Sequence, residues 1–274
     1  MSLVVPAYRQ EATIVEDVQR IEHVLRSQHL DYEILVVVDG FVDRTYERAQ
    51  ALQSGWIQVL GYPENRGKGH AVRYGMRYAS GDVVGFIDAG MDLDPQALPR
   101  FLSIMEETGA DIVIGSKRHP ESRVKYPLLR RFYSAGYQAL VWLLFGLSVR
   151  DTQVGLKLFQ RRVVEAVEPL LLVKRFAFDV ELLVVASLMG YRAVVEAPVV
   201  LTHDRFSSTI RLRTVFDMLW DTAAVFYRAR VVRYYHRQAR LQRSGLATGI
   251  LMGQGLALPL TRAASSTTDG SADP

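Results

Sequence analysis

Short apolar runs rich in β-branched residues alternate with longer amphipathic stretches through the first half of the chain, and this alternation most restricts its fold. Five runs predict buried strands, at 3–5, 33–38, 56–60, 83–87 and 112–114. Four intervening stretches predict helices, at 11–27, 43–53, 68–79 and 95–108. Strands and helices that alternate at this spacing form βαβ crossovers, so we expect an α/β fold with a mostly parallel sheet flanked by helices. Ligands of such sheets bind beyond the carboxyl ends of the strands.

The second half of the chain has a different pattern. The stretch 132–149 is almost entirely apolar but too short to span a bilayer comfortably, so it predicts a buried or interfacial helix. A helix is predicted over 176–189, and strands over 192–202 interrupted by Pro198. A long pattern over 211–242 mixes arginine with aliphatic and aromatic residues, which is typical of amphipathic helices at a membrane surface.

These patterns predict three parts. Residues 1–204 form the α/β domain, and 205–243 form basic amphipathic helices at a membrane surface. Residues 244–274 form a weakly structured or disordered tail, because they are rich first in glycine and then in small polar residues.

Composition excludes several classes of chemistry and indicates an anionic partner. The 274 residues include no cysteine, which excludes disulfides, thiolate metal sites and a cysteine nucleophile. The first residues lack the basic and apolar regions of a secretory signal, so we expect a cytoplasmic protein. The formal net charge is +4, and nine arginines lie between 205 and 243. Such a segment indicates nucleic acid, a phospholipid surface or a phosphorylated substrate, with a solvated helix face as the alternative.

A glycine-rich segment at 65–72 separates a predicted strand from a predicted helix. Glycines allow the backbone to approach a ligand, and Lys68 adds positive charge at the helix N-terminus. The segment is not a P-loop, because Gly61 lies six residues before Gly67 and Gly69 follows the lysine where a hydroxyl would bind Mg²⁺. It predicts contact with a phosphate outside the ordinary NTPase class, or otherwise a solvated turn.

Aspartates follow two of the predicted strands. A carboxylate at the end of a buried strand is costly unless it meets a cation, and Mg²⁺ or Mn²⁺ is held by one or two carboxylates together with substrate phosphates. Asp88 is therefore the expected first metal ligand and Asp92 the second. Asp94 precedes Pro95, which predicts a helix cap.

The second strand ends similarly. Asp39 is a candidate acceptor of hydrogen bonds from a nucleobase or ribose, and Asp43 is the expected cap of the next helix.

Four motifs in this order resemble the family 2 glycosyltransferases of GT-A fold, over most of residues 2–235. Residues 5–11 resemble their opening nucleotide-binding loop, V-P-A-Y-N-E, and 38–45 are similar to D-D-G-S-x-D-x-T with a valine in place of the first aspartate. Residues 65–75 match N-x-G-K-G-x-A-x-x-x-G, and 88–90 occupy the D-x-D position with a glycine in place of the second aspartate.

The resemblance implies a nucleotide-sugar site. Its residues would be Pro6, Ala7, Tyr8, Glu11, Asp39, Arg66, Gly67, Lys68, Asp88, Ala89 and Gly90.

Strings in the second half narrow the resemblance to dolichyl-phosphate glucosyltransferases and mannosyltransferases. They lie at 115–118, 130–131, 150–159 and 176–183, and the last two favour the glucosyl branch. The resemblance implies inverting transfer of a hexose from UDP-glucose or GDP-mannose to a polyprenyl phosphate, which would be dolichyl or undecaprenyl phosphate. The acceptor phosphate would contact Lys117, Arg118, Arg131, Gln153 and Arg205.

The implied chemistry is physically consistent. A divalent cation at Asp88, with Lys68 nearby, would stabilise the negative charge that develops on a departing nucleoside diphosphate. A phosphate monoester has a second pKa near ~6, so it is already anionic and needs positioning more than a strong base. The expected catalytic residues are Asp88, Asp151 and Lys68. Asp179 and Glu181 are expected either at the site or in a buried ion pair with a nearby basic residue, Lys157 or Arg175.

A lipid acceptor predicts peripheral attachment to the cytoplasmic face of a membrane, since each basic residue near anionic lipid contributes about 1 kcal/mol. Two alternatives are a GT-A transferase with a soluble acceptor and a catalytically silent nucleotide-sugar-binding protein, the latter motivated by Val38 and Gly90. Nucleic-acid binding is disfavoured because the strand ends are acidic and no nucleic-acid motif is present. The sequence makes no prediction of oligomeric state.

Overall fold

In the described part of the chain, seven strands form one sheet. The structure is a computed structural model that describes residues 1–123, 128–175, 177–201 and 212–243. The strands are β1 (Ser2–Ala7), β2 (Glu33–Asp39), β3 (Ile57–Tyr62), β4 (Val83–Ile87), β5 (Ile112–Ser116), β6 (Leu156–Gln160) and β7 (Val194–Pro198). Their order across the sheet is β3-β2-β1-β4-β6-β5-β7.

Helices flank this sheet, as predicted. They are α1 (Ile14–Ser27), α2 (Thr45–Gln50), α3 (Lys68–Met76), α4 (Leu98–Thr108), α5 (Leu128–Phe145), α6 (Arg161–Val167), α7 (Phe178–Leu188), α8 (Leu212–Phe226) and α9 (Tyr234–Arg243). Short 3₁₀ turns cover Pro95–Ala97 and Glu168–Leu170, and a π-helical turn covers Tyr227–Val231. Residues Met1–Ala239 form one compact unit.

The prediction of a mostly parallel sheet is confirmed. Strands β1 to β4 pair in parallel, and β5 pairs in parallel with β7. The central strands are buried on both faces, which explains why they consist of continuous apolar residues: every residue of 34–38 in β2 is fully buried. Aspartates and glycines at the ends of these strands therefore meet at one edge of the sheet.

Strand β6 was not predicted, although its residues belong to one of the strings that carry the family resemblance. It lies between β4 and β5 and is antiparallel to both. Its second residue is Lys157, which is fully buried. A charged residue in a short run removes the apolar pattern that identifies a buried strand, so the sequence signal for β6 is weak. The helix α6, which follows β6 directly, was not predicted either.

The predicted helices are present, but several are shorter than expected. α1 begins at Ile14 rather than at residue 11, and α3 ends at Met76 rather than at residue 79. The prediction that Asp94 caps a helix is confirmed, because its carboxylate accepts a hydrogen bond from the Gln96 backbone N–H. The prediction that Asp43 caps α2 is wrong: the N-cap is Arg44, and the Asp43 carboxylate, one residue earlier, accepts the Thr45 N–H in a local turn.

The apolar stretch predicted over 132–149 is helical only as far as Phe145, where α5 ends. This helix has two different faces. Val141 and Phe145 are buried in the core, whereas Trp142 is 61% exposed and Leu143 is 73% exposed. The helix therefore completes the core with one side and leaves the other apolar side uncovered. No helix in the part of the chain that the structure describes combines the length and apolar character that crossing a membrane requires.

The basic segment predicted over 205–243 is described from residue 212 onward, where it forms α8, the π-helical turn and α9. We call these three elements the C-terminal helices. Several of their large apolar side chains are exposed, namely Phe216, Leu219, Trp220, Tyr227 and Val231. The predicted tail at 244–274 lies outside the described residues, so the proposed division of the chain at 204 and 243 stays a prediction.

Candidate active site

A cleft of about 460 Å³ opens at the carboxyl ends of β1, β2 and β4, which is the edge where the sequence places a ligand. We call it the central cleft. It is lined by Pro6, Ala7, Tyr8, Gln10, Asp39, Asn65, Gly67, Lys68, Asp88, Ala89, Asp92 and Arg175. These residues come from the carboxyl ends of β1, β2 and β4, from the segment that follows β3 and from the loop that carries Arg175, so only the tertiary structure brings them together.

Asp39 ends β2 and is buried, and it organises the glycine-rich segment that the sequence singled out. Its Oδ1 accepts hydrogen bonds from the Tyr62 hydroxyl at 2.9 Å and the Arg66 N–H at 2.7 Å. Its Oδ2 accepts from the Asn65 side-chain amide at 3.1 Å and the Gly67 N–H at 2.9 Å. Four donors from the chain itself already engage this carboxylate, so the structure gives Asp39 a positioning role, and its predicted contact with a base or ribose stays a prediction.

Lys68 is the first residue of α3, and its ammonium group lies between two carboxylates. Its Nζ donates to Asp88 Oδ2 at 2.9 Å and to Asp179 Oδ2 at 3.5 Å. Burial opposes the charged form, but Asp179 and Asp88 together raise the pKa of Lys68 above its usual value. The lysine is therefore a fixed positive charge beside Asp88, which agrees with the sequence prediction that these two residues act together.

A second lysine lies beneath this pair. Lys157 of β6 forms an ion pair with Asp179 and donates a hydrogen bond to the Val154 carbonyl at 2.6 Å. Burial lowers the pKa of Lys157, whereas the pKa of Asp179 is lowered, despite burial, by Lys157 and Lys68. Lys157 and Lys68 each place their Nζ 5.2 Å from the ring centroid of Phe86. Asp179 thus pairs with Lys157 rather than Arg175.

Asp88 is held at a close approach of two chain segments. Its N–H donates to the Gly155 carbonyl at 2.9 Å. A Cβ atom at Gly155 would lie 1.9 Å from Asp88 Oδ2, so only glycine allows the carboxylate to stay where it is. Asp88 Oδ1 lies 2.9 Å from the Lys68 ammonium but is buried and accepts no hydrogen bond within the described structure. A buried carboxylate oxygen with spare acceptor capacity is suited to a cation.

Gly90 takes the position of the second aspartate of the D-x-D motif, and its backbone explains the substitution. Its φ of +92° lies in a region that side-chain-bearing residues adopt only with strain. Its N–H donates to Asp17 Oδ2 at 3.0 Å. Asp92 is exposed and lines the same cleft as Asp88. Among the residues that the structure describes, no three His, Cys, Asp or Glu side chains converge on one point, so any cation would depend on few protein ligands.

Lys117, Arg118 and Gln153, three of the residues predicted to bind the acceptor, are not among the residues that line the central cleft. Asp151 is buried and accepts hydrogen bonds from the Lys117 and Gln153 backbone N–H groups, both at 3.2 Å. It does not line the cleft that contains Asp88. Arg118 donates to the Ser134 hydroxyl at 3.2 Å and lines a second cavity, of about 530 Å³, beside α5. Asp151 therefore holds the backbone at two acceptor candidates, Lys117 and Gln153.

Two further acceptor candidates cannot be placed by their side chains. Arg131 belongs to α5, but its side chain lies outside the described residues, as does the whole of Arg205. Gln153 has a buried side-chain amide nitrogen that makes no hydrogen bond within the described structure.

Most, but not all, of the residues predicted to bind the nucleotide sugar line the central cleft. Glu11, Arg66 and Gly90 do not line the cleft. The Glu11 carboxylate accepts the Arg44 N–H at 3.1 Å, and the Arg66 guanidinium lies 5.6 Å from the Tyr62 ring centroid. Gln10, Asn65 and Arg175 line it but were not predicted as site residues, although Asn65 begins the glycine-rich motif. Gln10 could have been found from its position inside the first motif, whereas no local pattern marks Arg175.

The fold comparisons define the class. The structure resembles glucosyl-3-phosphoglycerate synthase from Mycobacterium tuberculosis, with a TM-score of 0.60, 23% identity, and coverage of 82% of this chain and 78% of that one. It also resembles mannosyl-3-phosphoglycerate synthase from Rubrobacter xylanophilus, with a TM-score of 0.64, 20% identity, and coverage of 92% and 77%. The predicted GT-A glycosyltransferase fold is therefore confirmed.

The sequence comparisons define the family. Residues 2–168 match the model of glycosyl transferase family 2, and the chain belongs to this family. It is 34% identical over 211 residues to a dolichyl-phosphate beta-glucosyltransferase of Trichomonas vaginalis, covering 73% of this chain and 64% of that protein. It is 31% identical over 228 residues to a dolichol-phosphate mannosyltransferase of Pyrococcus furiosus, covering 80% and 61%. The chain thus spans somewhat less than two thirds of the length of these relatives.

Proposed function

We propose that this protein transfers a hexose, with inversion, from a nucleotide sugar to a polyprenyl phosphate, and that the sugar is glucose from UDP-glucose. The observation that carries the proposal is the Lys68–Asp88 pair at the sheet edge, in a cleft built from the motifs of family 2. Glucose is favoured because the human relative, 33% identical over 203 residues, is a dolichyl-phosphate beta-glucosyltransferase, like that of Trichomonas vaginalis.

The central cleft suits the diphosphate of a donor. Charge develops on the leaving diphosphate as the bond to the sugar breaks, and fixed positive groups directed at that charge stabilise the transition state. Lys68 supplies such a group, and the N-terminus of α3, where it stands, adds the positive end of the helix dipole. Because Asp88 and Asp179 hold the ammonium in place, little reorganisation is needed when the donor binds.

The residues present fit a divalent cation held mainly by the donor. Asp88 Oδ1 lies 2.9 Å from the Lys68 ammonium but accepts no hydrogen bond within the described residues, and Asp92 lines the same cleft, so two carboxylates of the kind that Mg²⁺ or Mn²⁺ prefers are present. Such an ion supplies Lewis-acid stabilisation of the diphosphate when bound. A neighbour of similar fold, the Mycobacterium tuberculosis synthase, is described in complex with Mn²⁺ and UDP. Lys68 neutralises part of the charge on Asp88, so the ion need not be bound by the protein alone.

The cavity beside α5 suits the acceptor. Arg118 lies at its wall together with apolar residues of α5, so a phosphate and the start of a hydrocarbon chain can bind side by side. The acceptor phosphate is anionic at neutral pH, because its second pKa is near ~6. Its oxygen can therefore attack without a strong base. Asp151, which holds the Lys117 and Gln153 backbone, would then position the acceptor rather than remove a proton.

Peripheral attachment to the cytoplasmic face of a membrane follows from the same proposal. The exposed apolar side chains of α5 and of the C-terminal helices would enter the interface between headgroups and acyl chains. Arginines 230, 233 and 237 lie in or between the same elements, are exposed, and would contact anionic headgroups. Contributions of about 1 kcal/mol for each basic residue, added to the apolar insertion, suffice without a spanning helix.

The proposal is tested with a panel of donors and acceptors. UDP-glucose and GDP-mannose are each incubated with dolichyl phosphate, undecaprenyl phosphate and 3-phosphoglycerate, with and without EDTA, and lipid-linked or soluble sugar is counted. We expect transfer from UDP-glucose to a polyprenyl phosphate that EDTA abolishes. Transfer only to 3-phosphoglycerate would establish a soluble acceptor, and nucleotide binding without any transfer would establish a silent binding protein.

A matched pair of variants tests the role of Asp88. Asp82 precedes β4 and Asp88 follows it, so Asp82→Asn is the control for Asp88→Asn on the same strand. We expect Asp88→Asn to lower kcat by about 100-fold or more, the cost of removing a main electrostatic group, and Asp82→Asn to leave it unchanged. Equal turnover in the two variants would refute the assignment of Asp88.

A further inference from the structure

Glu181 is a fully buried acid on α7 that does not line the central cleft. Its Oε2 accepts hydrogen bonds from the backbone N–H groups of Leu172 at 2.9 Å and Val173 at 2.7 Å. Its Oε1 accepts from the Tyr235 hydroxyl at 2.6 Å and lies 3.7 Å from the Arg228 guanidinium. This corrects the expectation of an ion pair with Lys157 or Arg175. One carboxylate thus joins two segments that do not otherwise share a secondary-structure element.

The first segment, residues 171–175, reaches the central cleft. The Lys174 carbonyl accepts a hydrogen bond from the His70 N–H of α3 at 3.3 Å, so the segment rests on the first turn of the helix that begins with Lys68. Arg175 lines the cleft. Arg175 is the cationic residue that this loop contributes to the cleft. Its position therefore depends on Glu181, which holds the backbone N–H groups of Leu172 and Val173 in the same loop.

The second segment consists of the C-terminal helices. Arg228 lies in the π-helical turn, a rare form that is often found at functional positions, and Tyr235 is fully buried on α9. Arg228 Nη1 is buried and makes no hydrogen bond within the described structure. Among the described residues, its ion-pair partner is Glu181. Tyr227 and Val231 of the same turn are exposed. The π-helical turn thus exposes apolar side chains and also forms an ion pair with the buried Glu181.

We infer that Glu181 is a positioning residue that couples the C-terminal helices to the loop carrying Arg175, so that the packing of those helices sets the affinity of the central cleft for the donor nucleotide. This inference depends on the proposed function in one respect only, namely that the ligand of the central cleft is a donor nucleotide. Its physical basis is that a buried carboxylate held by three hydrogen-bond donors and one ion pair transmits the loss of any one of these partners, because a buried group left without its partner is costly. No local sequence pattern marks this connection, which joins residues 54 positions apart.

The test removes one hydroxyl from each of two tyrosines. Tyr235→Phe deletes the donor to Glu181, and the control Tyr191→Phe deletes a hydroxyl that donates to the Arg162 carbonyl at 3.1 Å, away from this loop. Glu181→Gln, which keeps the shape but removes the charge, serves as a second variant. Two readouts are measured in each full-length protein: amide hydrogen exchange at Leu172 and Val173, and binding of UDP and of GDP by calorimetry.

We expect exchange at Leu172 and Val173 to become about tenfold faster in Tyr235→Phe and Glu181→Gln, and nucleotide binding to weaken by about tenfold, with neither change in Tyr191→Phe. Unchanged exchange in both Glu181-directed variants would overturn the coupling, as would equal effects in the control. Faster exchange with unaltered nucleotide affinity would also overturn it. If the unaltered protein binds neither UDP nor GDP, the proposed function fails, and exchange alone then decides whether Glu181 holds the loop.

Discussion

The central cleft and the C-terminal helices place their side chains in opposite ways. In the cleft, charged groups are buried or half-buried and paired within the chain: Lys68 lies between Asp88 and Asp179, and Asp39 accepts four hydrogen bonds. On the C-terminal helices, Phe216 is 65% exposed and Trp220 is 69% exposed, and their rings stack 6.4 Å apart on the surface. A site prepared before its ligand arrives thus differs from a surface that leaves apolar area for a partner to cover.

The comparison assumes that the charged groups at and beneath the cleft are stabilised by their ion pairs. Lys157→Met, which removes one partner of the buried pair with Asp179, is the most severe test of this assumption. Removing one partner of a buried pair is strongly destabilising, and we expect a loss of about 3 kcal/mol in the free energy of unfolding, at the lower end for such pairs, because Lys68 still faces Asp179. Urea denaturation measures it. The exposed Lys174 supplies the control, since Lys174→Met should change stability by less than about 0.5 kcal/mol.

The next test concerns space rather than charge. Gly155→Ala places a methyl group where Asp88 now lies, and we expect kcat of the proposed transfer to fall by about 100-fold while the protein stays folded, since a displacement of one ångström at a reacting group has this cost. Gly136 of α5 has open space around its Cα, so Gly136→Ala should leave kcat unaltered. If the two alanines behave alike, Asp88 is not held by the close approach of Gly155.

The surface side of the comparison is tested by paired aromatic residues. The double change Phe216→Ser and Trp220→Ser should weaken association with liposomes of anionic lipid by at least about tenfold, because each buried aromatic contributes about 1.5 kcal/mol or more. Trp56 is 48% exposed but precedes β3 in the other half, and Trp56→Ser is the control. Flotation measures binding at low and high salt. Equal binding of all three proteins would remove the C-terminal helices as a membrane surface.

The smallest expected effect concerns pH. Burial lowers the pKa of His70 to about 4, so the folded protein keeps the imidazole neutral while an unfolded chain, with a pKa near ~6.5, takes up a proton. The unfolded state then binds more protons as the pH falls from about 6.5 towards 4, and stability decreases over that range. In His70→Gln this part of the decrease should be absent. Urea denaturation of both proteins at pH 7, 6 and 5 provides the comparison, and parallel curves would contradict it.

The first four strands and the motifs at their ends were predictable because the information is local. A short apolar run identifies a buried strand, and a glycine-rich or acidic segment after it identifies an edge of the sheet, without knowledge of any distant residue. Lys68, Asp88 and the glycine segment were placed correctly at one edge for this reason. Helix ends were less predictable: α1 begins three residues later and α3 ends three residues earlier than the patterns indicate.

The sequence by itself determined the α/β class, the order of the early elements and most of the residues at the sheet edge. Only the tertiary structure decided that β6 enters the sheet antiparallel with a buried lysine, that Asp179 pairs with Lys157, and that Glu181 turns to Tyr235 and Arg228 instead. The physical reason is that a buried charge chooses its partner by position in space. That position depends on how strands and helices distant in sequence come together, and no local pattern of residues carries it.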